Sequence, residues 1–164
     1  MRALTESEIR ASFVNCSKGE AKRLPVPRGL AEQRWDELDF LGWRDLGAPD
    51  RAYLVAVLDG APVGITLRSP NVRRSLTRTN VCSVCITAHA GSGVSLLTAP
   101  RAGAAGREGN SVGTYLCADL ACSLYVRGLR RGAAVSRPDE SLPLEEQIAR
   151  TVTNLEAFLR QVLA

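Results

Sequence analysis

The chain has 164 residues, 45% of them apolar but only 5% aromatic, with a formal net charge of +4 and a single histidine, His89. That length allows one domain or two small ones, and the apolar share suffices for a core built mainly from Leu, Val, Ile and Ala. One histidine excludes a histidine-based metal triad, and any Ser-His-Asp or Cys-His scheme would have to use His89. P-loop, GxGxxG, GxSxG and HExxH patterns are missing, and no acid–base constellation stands out, so the chain reads as a non-enzyme.

The charge is uneven. Residues 1–50 carry 8 basic and 9 acidic side chains, residues 51–137 carry 11 basic and 3 acidic, and residues 138–164 carry 2 basic and 5 acidic. The middle stretch is thus a +8 island that favours anionic partners, a nucleic-acid backbone or an acidic protein face. These limits also serve as provisional divisions: an N-terminal helical region (1–50), a hairpin plus metal-binding region (51–137) and a C-terminal helix packing on the body (138–164). The first residues lack the apolar run of a secretory signal, and no stretch has the roughly 20 apolar residues that span a bilayer. The expectation is a cytoplasmic protein with no membrane partner and no small-molecule substrate.

In chain order, Thr5-Glu6-Ser7-Glu8 is a capping box, and Ile9, Phe13 and Cys16 follow at helical spacing. This predicts a helix over 6–18 with Cys16 as a small core side chain, ended by Leu24-Pro25-Val26-Pro27. A short helix over 30–36 and an irregular segment at Phe40–Trp43 follow. Trp43 and Asp45 read as a core or domain-joining pair. Ala52–Leu58 and Val63–Arg68 flank Asp59-Gly60, a hairpin whose loop Pro62 is expected to lengthen. Residues 69–79 read as a polar connection or edge strand. Val94–Thr98 and Val112–Tyr115 are strands around a mobile, Gly-rich tip at 100–110. Ala118–Arg130 has helical periodicity in Leu120, Leu124 and Leu129, with Gly132 as its stop signal. Residues 133–143 form a linker, and Leu144–Val162 is an amphipathic helix through Ile148, Val152, Leu155 and Leu159.

The chemistry lies in the cysteines. Cys82-Ser83-Val84-Cys85 is a CxxC pair, and Cys117 and Cys122 form a second pair after a gap of 31 residues. A CxxC turn aims two sulfurs at one centre, and the second pair falls at an expected helix start, with Cys117 at the cap and Cys122 one turn in. Four thiolates around one Zn²⁺ make a closed, structural site without an open coordination position. Thiols alone do not separate zinc from an iron–sulfur cluster. His89, four residues past Cys85, is read as a solvated loop side chain, with metal ligation as its alternative. Knuckle, hairpin and ligand pair at a helix N-terminus is the order of a treble-clef zinc finger. The fold class expected is α+β: a small antiparallel sheet with this finger, flanked by N-terminal helices and a C-terminal amphipathic helix.

The segments FVNCSKGEAKRLPVP (13–27), DFLGWRDLGAPDRAYLV (39–55), CSVC (82–85) and GREGNSVGTYLCADLACSLYVRG (106–128) resemble the elongation-factor-G-binding protein family, in what looks like its actinobacterial branch. That family carries a treble-clef zinc finger and is related to fusidic-acid-resistance proteins. The resemblance implies Cys82, Cys85, Cys117 and Cys122 as ligands of one structural Zn²⁺. It further implies docking on elongation factor G, with promotion of the factor's release from the ribosome, and contact residues among Tyr115, Tyr125, Arg127, Arg101 and Arg107. Ribosomal RNA is a further expected partner. Direct nucleic-acid binding by the basic segment and thiol-based zinc or redox sensing are the alternative readings.

Overall fold

The computed structural model describes residues 1–69, 79–131, 135–136 and 140–164. Its centre is a five-stranded antiparallel sheet in the order β1-β2-β3-β6-β7, built from β1 (Phe40–Arg44), β2 (Arg51–Leu58), β3 (Ala61–Arg68), β6 (Val94–Pro100) and β7 (Ser111–Cys117). A second antiparallel sheet joins β4 (Thr79–Val81), β5 (Ala88–Ala90) and β8 (Val135–Ser136). The helices are α1 (Glu6–Ala11), α2 (Lys18–Arg23), α3 (Gly103–Arg107), α4 (Cys122–Val126) and α5 (Leu144–Leu163).

β2 explains the placement of the rest. Ala52, Leu54, Ala56 and Leu58 point to one face and join the main core with Leu155, Phe158, Leu159 and Val162 of α5. On the other face Tyr53 and Val55 meet the N-terminal segment, in clusters with Leu4, Ile9, Ala21 and Leu24. A strand buried on both faces has no reason to alternate, so AYLVAVL reads as a continuous apolar run. Trp43 joins the same side as expected: its ring lies 5.3 Å from Tyr53 and 6.3 Å from Phe13, and its Nε1 donates to Pro25 O at 2.6 Å. Asp45 accepts from the Tyr53 hydroxyl at 3.0 Å.

Several elements depart from the expectation. The capping box forms (Glu8 N to Thr5 Oγ1, 3.2 Å), but the helix stops at Ala11 rather than 18. Beyond it Ser12 and Val14 bond to the backbone of Gly64, and Asn15 donates to Thr66 O and Pro100 O at 3.0 Å each while accepting from Thr66 N at 2.8 Å. Only one residue pair, Arg68↔Thr98, links β3 to β6, and Asn15 bridges the gap where those strands diverge. Tertiary hydrogen bonding outweighs helical periodicity here. A second capping box, Ser17 with Glu20, then starts α2. The short helix at 30–36 is replaced by turns and a 3₁₀ turn at Trp35–Glu37, and Phe40–Trp43 belongs to a strand because β2 offers it a full edge.

Pro62 does not lengthen the hairpin. Asp59 (φ 51) and Gly60 (φ 82) form a two-residue turn, and Pro62 pairs with Val57. The closing pair Leu58↔Ala61 carries the hydrogen bonds, so the next pair needs no N–H from residue 62. The 100–110 tip contains α3, where Gly106 packs so tightly that a Cβ would lie 1.8 Å from Arg101 O. The expected stop at Gly132, most of the 69–79 connection and part of the 133–143 linker lie outside the described residues. α5 matches its periodicity, and Asn154 Nδ2 ties it to Val84 O at 3.1 Å.

Candidate metal centre

Two tight turns bring the four cysteines together. In the first, Cys82 N donates to Thr87 O (2.9 Å), Ile86 N donates to Cys82 O (3.0 Å) and Cys85 N points at Cys82 Sγ (3.5 Å). Ile86 closes this turn at φ 59, a costly conformation for a β-branched residue that the surrounding turn enforces. In the second, Leu120 N donates to Cys117 O at 2.9 Å with Leu120 at φ 58, and Asp119 Oδ1 accepts from Ala121 N at 3.1 Å.

The second turn corrects the expected helix over 118–130. Cys117 is the last residue of β7 and Cys122 the first of α4, which ends at Val126. A helix running through both would separate the sulfurs. The left-handed Leu120 instead folds the chain back so that both aim at one point.

The cysteines are at most 3% exposed, and their Sγ atoms all lie within 4.8 Å of one another. Cys82 and Cys122 are separated by 3.7 Å, Cys85 and Cys117 by 3.5 Å. Sulfurs about 2.3 Å from a tetrahedral Zn²⁺ stand about 3.8 Å apart, so this donor set fits one structural zinc ion. Hydrogen bonds from Cys117, Cys122 and Cys85 hold the Cys82 thiol far below its usual range, whereas Cys117, Cys82 and Cys85 push Cys122 well above it. A divalent cation removes that competition and favours four thiolates.

His89 corrects the reading of a solvated loop side chain. It lies in β5, 4% exposed, with Nε2 3.5 Å from Cys117 Sγ and its ring edge-on to Tyr125 at 4.6 Å. Burial lowers its pKa, against the pull of Cys82 and Asp119. Thr87, which sequence reasoning missed, places Oγ1 2.6 Å from Cys85 Sγ. Its only sequence signal is a hydroxyl two residues beyond the CxxC pair.

The expected contact residues fall into two groups. Tyr125 is 6% exposed and donates to Asp119 Oδ2 at 2.8 Å; burial, then this bond, raises its pKa to about 12. Arg127 forks onto Asp39 at 2.6 and 2.8 Å with both side chains largely covered, tying α4 to the start of β1. Tyr115 (44% exposed), Arg101 and Arg107 reach the surface on or beside β6 and β7. Arg44 adds another tie, donating to Ala118 O at 2.7 Å. No helix among the described residues is long and apolar enough to cross a membrane.

One cysteine pair in a tight turn and a second pair spanning the end of a strand and the start of a helix, around one buried centre on an α+β scaffold closed by a C-terminal helix, define a four-cysteine treble-clef zinc domain. The chain belongs to the FBP C-terminal treble-clef zinc-finger family, whose model matches residues 8–162. The solved structure of the fusidic acid resistance protein FusC shares the fold, with a TM-score of 0.62 and 18% identity over 98% of this chain. This chain spans 59% of FusC's length. No curated protein matches the sequence.

Proposed function

We propose that this protein is a non-enzymatic zinc-dependent binding module that docks on elongation factor G and promotes the factor's departure from the ribosome. The observation that carries the reading is the family match over residues 8–162 together with the buried four-cysteine centre. The zinc ion supplies rigidity when bound. Cys82, Cys85, Cys117 and Cys122 hold it, and Tyr125, Arg127 and His89 brace the surrounding turns. Contact with the partner falls to Tyr115, Arg101 and Arg107. A module of this kind shifts the factor between conformations only through different affinities for them.

Co-purification tests the reading. The zinc-loaded chain captures elongation factor G from the same organism at micromolar concentration, and replacing Cys82 by Ser abolishes capture. No complex at that concentration overturns it. Capture of RNA instead, weakening steeply with salt, would support direct nucleic-acid binding.

A further inference from the structure

A cleft of about 420 Å³ lies between the N-terminal segment and α3, with Asn15, Cys16 and Glu20 on one side and Arg101, Gly106 and Arg107 on the other. Its size falls in the range of small-ligand sites. Both walls are pinned. The Asn15 amide bridges Thr66 and Pro100, and Gly106 packs against the Arg101 carbonyl. Arg101 N donates to Asn110 O at 2.9 Å, and Ala102 N donates to Val162 O at 2.7 Å. The cleft is therefore preformed and needs no ordering of loops on binding.

Its charge is unbalanced. Among the described residues neither Arg101 nor Arg107 has an ion-pair partner, although Arg10, Arg34, Arg127, Arg130, Arg150 and Arg160 all do. The one carboxylate in the lining, Glu20, is turned to its own helix start, accepting from Ser17 N at 2.9 Å and Ser17 Oγ at 2.7 Å. Arg23 and Arg51 also face Glu20 electrostatically. Two arginines in the lining, with Val14 and Pro100 among the same residues, suit a compact doubly charged anion.

We propose that this cleft binds a small phosphomonoester, its phosphate held between Arg101 and Arg107. The site shares Arg101 and Arg107 with the docking reading above, but its test uses the isolated chain and no elongation factor, so the two readings fail separately.

Cys16 is a built-in reporter: it is half-buried, lines the cleft and is the one cysteine outside the zinc cluster. The zinc-loaded chain is treated with N-ethylmaleimide and the Cys16 adduct followed by mass spectrometry, with inorganic phosphate, a mononucleotide or a short RNA added at constant ionic strength. With a Kd of about 1 mM, phosphate at 10 mM slows the adduct about tenfold. R101Q/R107Q removes the protection while keeping one zinc per chain. K18Q/K22Q, altering the neighbouring groove that Cys16 also lines, keeps it. Three results would overturn the proposal: no protection by phosphate or mononucleotide, protection matched by chloride, or protection surviving in R101Q/R107Q. Protection by RNA alone would move the phosphate source to a polymer and overturn the small-ligand assignment.

Discussion

Replacing Gly42 by Ala would test how the sheet holds the second cysteine turn. A Cβ at position 42 of β1 would stand 2.5 Å from Leu120 Cβ, 3.1 Å from Leu120 O and 3.2 Å from Phe40 Cε2. Carbon atoms in good contact lie about 3.5–4.0 Å apart, so one partner must yield by at least about 1 Å. Leu120 has little freedom to do so. It is 3% exposed, sits in a left-handed conformation, donates to Cys117 O and lies two residues before Cys122. Phe40 is 1% exposed. Overpacking of this kind costs about 1–3 kcal/mol. At about 2–4 °C per kcal/mol for a chain of this size, G42A should melt about 2–12 °C below the parent. Since the displaced residue lies between two ligands, zinc should also pass faster to a competing chelator. Calorimetry and a colorimetric zinc-transfer assay read both effects. A G42A protein that melts within about 1 °C of the parent and releases zinc at the parent rate would refute the claim that β1 buttresses the site.

Gly19 gives the opposite sign. It sits inside α2, and a methyl group added there would meet nothing closer than Arg23 Nη1 at 3.5 Å, so G19A should stabilise by about 0.4–1 kcal/mol in denaturant unfolding. N15A leaves Thr66 N–H and the Thr66 and Pro100 carbonyls without their partner and should lower stability by about 1–3 kcal/mol, measured the same way. Glu8 is held at a pKa of about 2 by Arg2 and then by the Thr5 cap. Its folded pKa lies below the ordinary 4.5, so the capping contribution is present above pH 4.5 and is lost as pH falls from about 4.5 to about 2. E8Q should flatten that part of the acid-unfolding curve, and an unchanged curve would count against the cap. Chelating the zinc should loosen far more than two turns, because all four cysteines belong to the main core cluster; a calorimetric melt unchanged by the chelator would reject that coupling.

The cysteine pairs, the capping box at Thr5, the β2–β3 hairpin and α5 were legible because each depends on neighbours close in sequence. What the pattern misplaced depends on distant partners. Helical spacing of Ile9, Phe13 and Cys16 loses to Asn15, whose amide bonds 51 and 85 residues away. Leu120 keeps the spacing of a helix face yet turns left-handed because two ligands must converge. His89 lacks an apolar neighbour pattern that announces burial; its cover comes from Tyr125, 36 positions on, and Cys117. Ser17-x-x-Glu20 was readable by the same rule as Thr5-x-x-Glu8 but begins inside the stretch, 6–18, that periodicity assigned to one helix.

The two groups of expected contact residues carry a consequence for how such a module would bind. Tyr125 and Arg127 are engaged inside the domain: one hydroxyl on Asp119, one guanidinium on Asp39. Asp119 also receives Arg130 at 3.2 Å and caps Ala121, so a single carboxylate organises the second turn, α4 and the chain just after it. Arg44 reaches the same turn from β1, and Asn154 reaches the first turn from α5. Each cysteine pair is thereby anchored to a different element of the scaffold, while Tyr115, in β7 at the end of the sheet order, joins them through Ser83 N to Tyr115 O at 2.8 Å. A partner contacting Tyr115 therefore pushes against a surface whose displacement would have to distort the first cysteine turn. With zinc in place that surface would be stiff, and the ordering cost of binding would fall on the partner rather than on this chain.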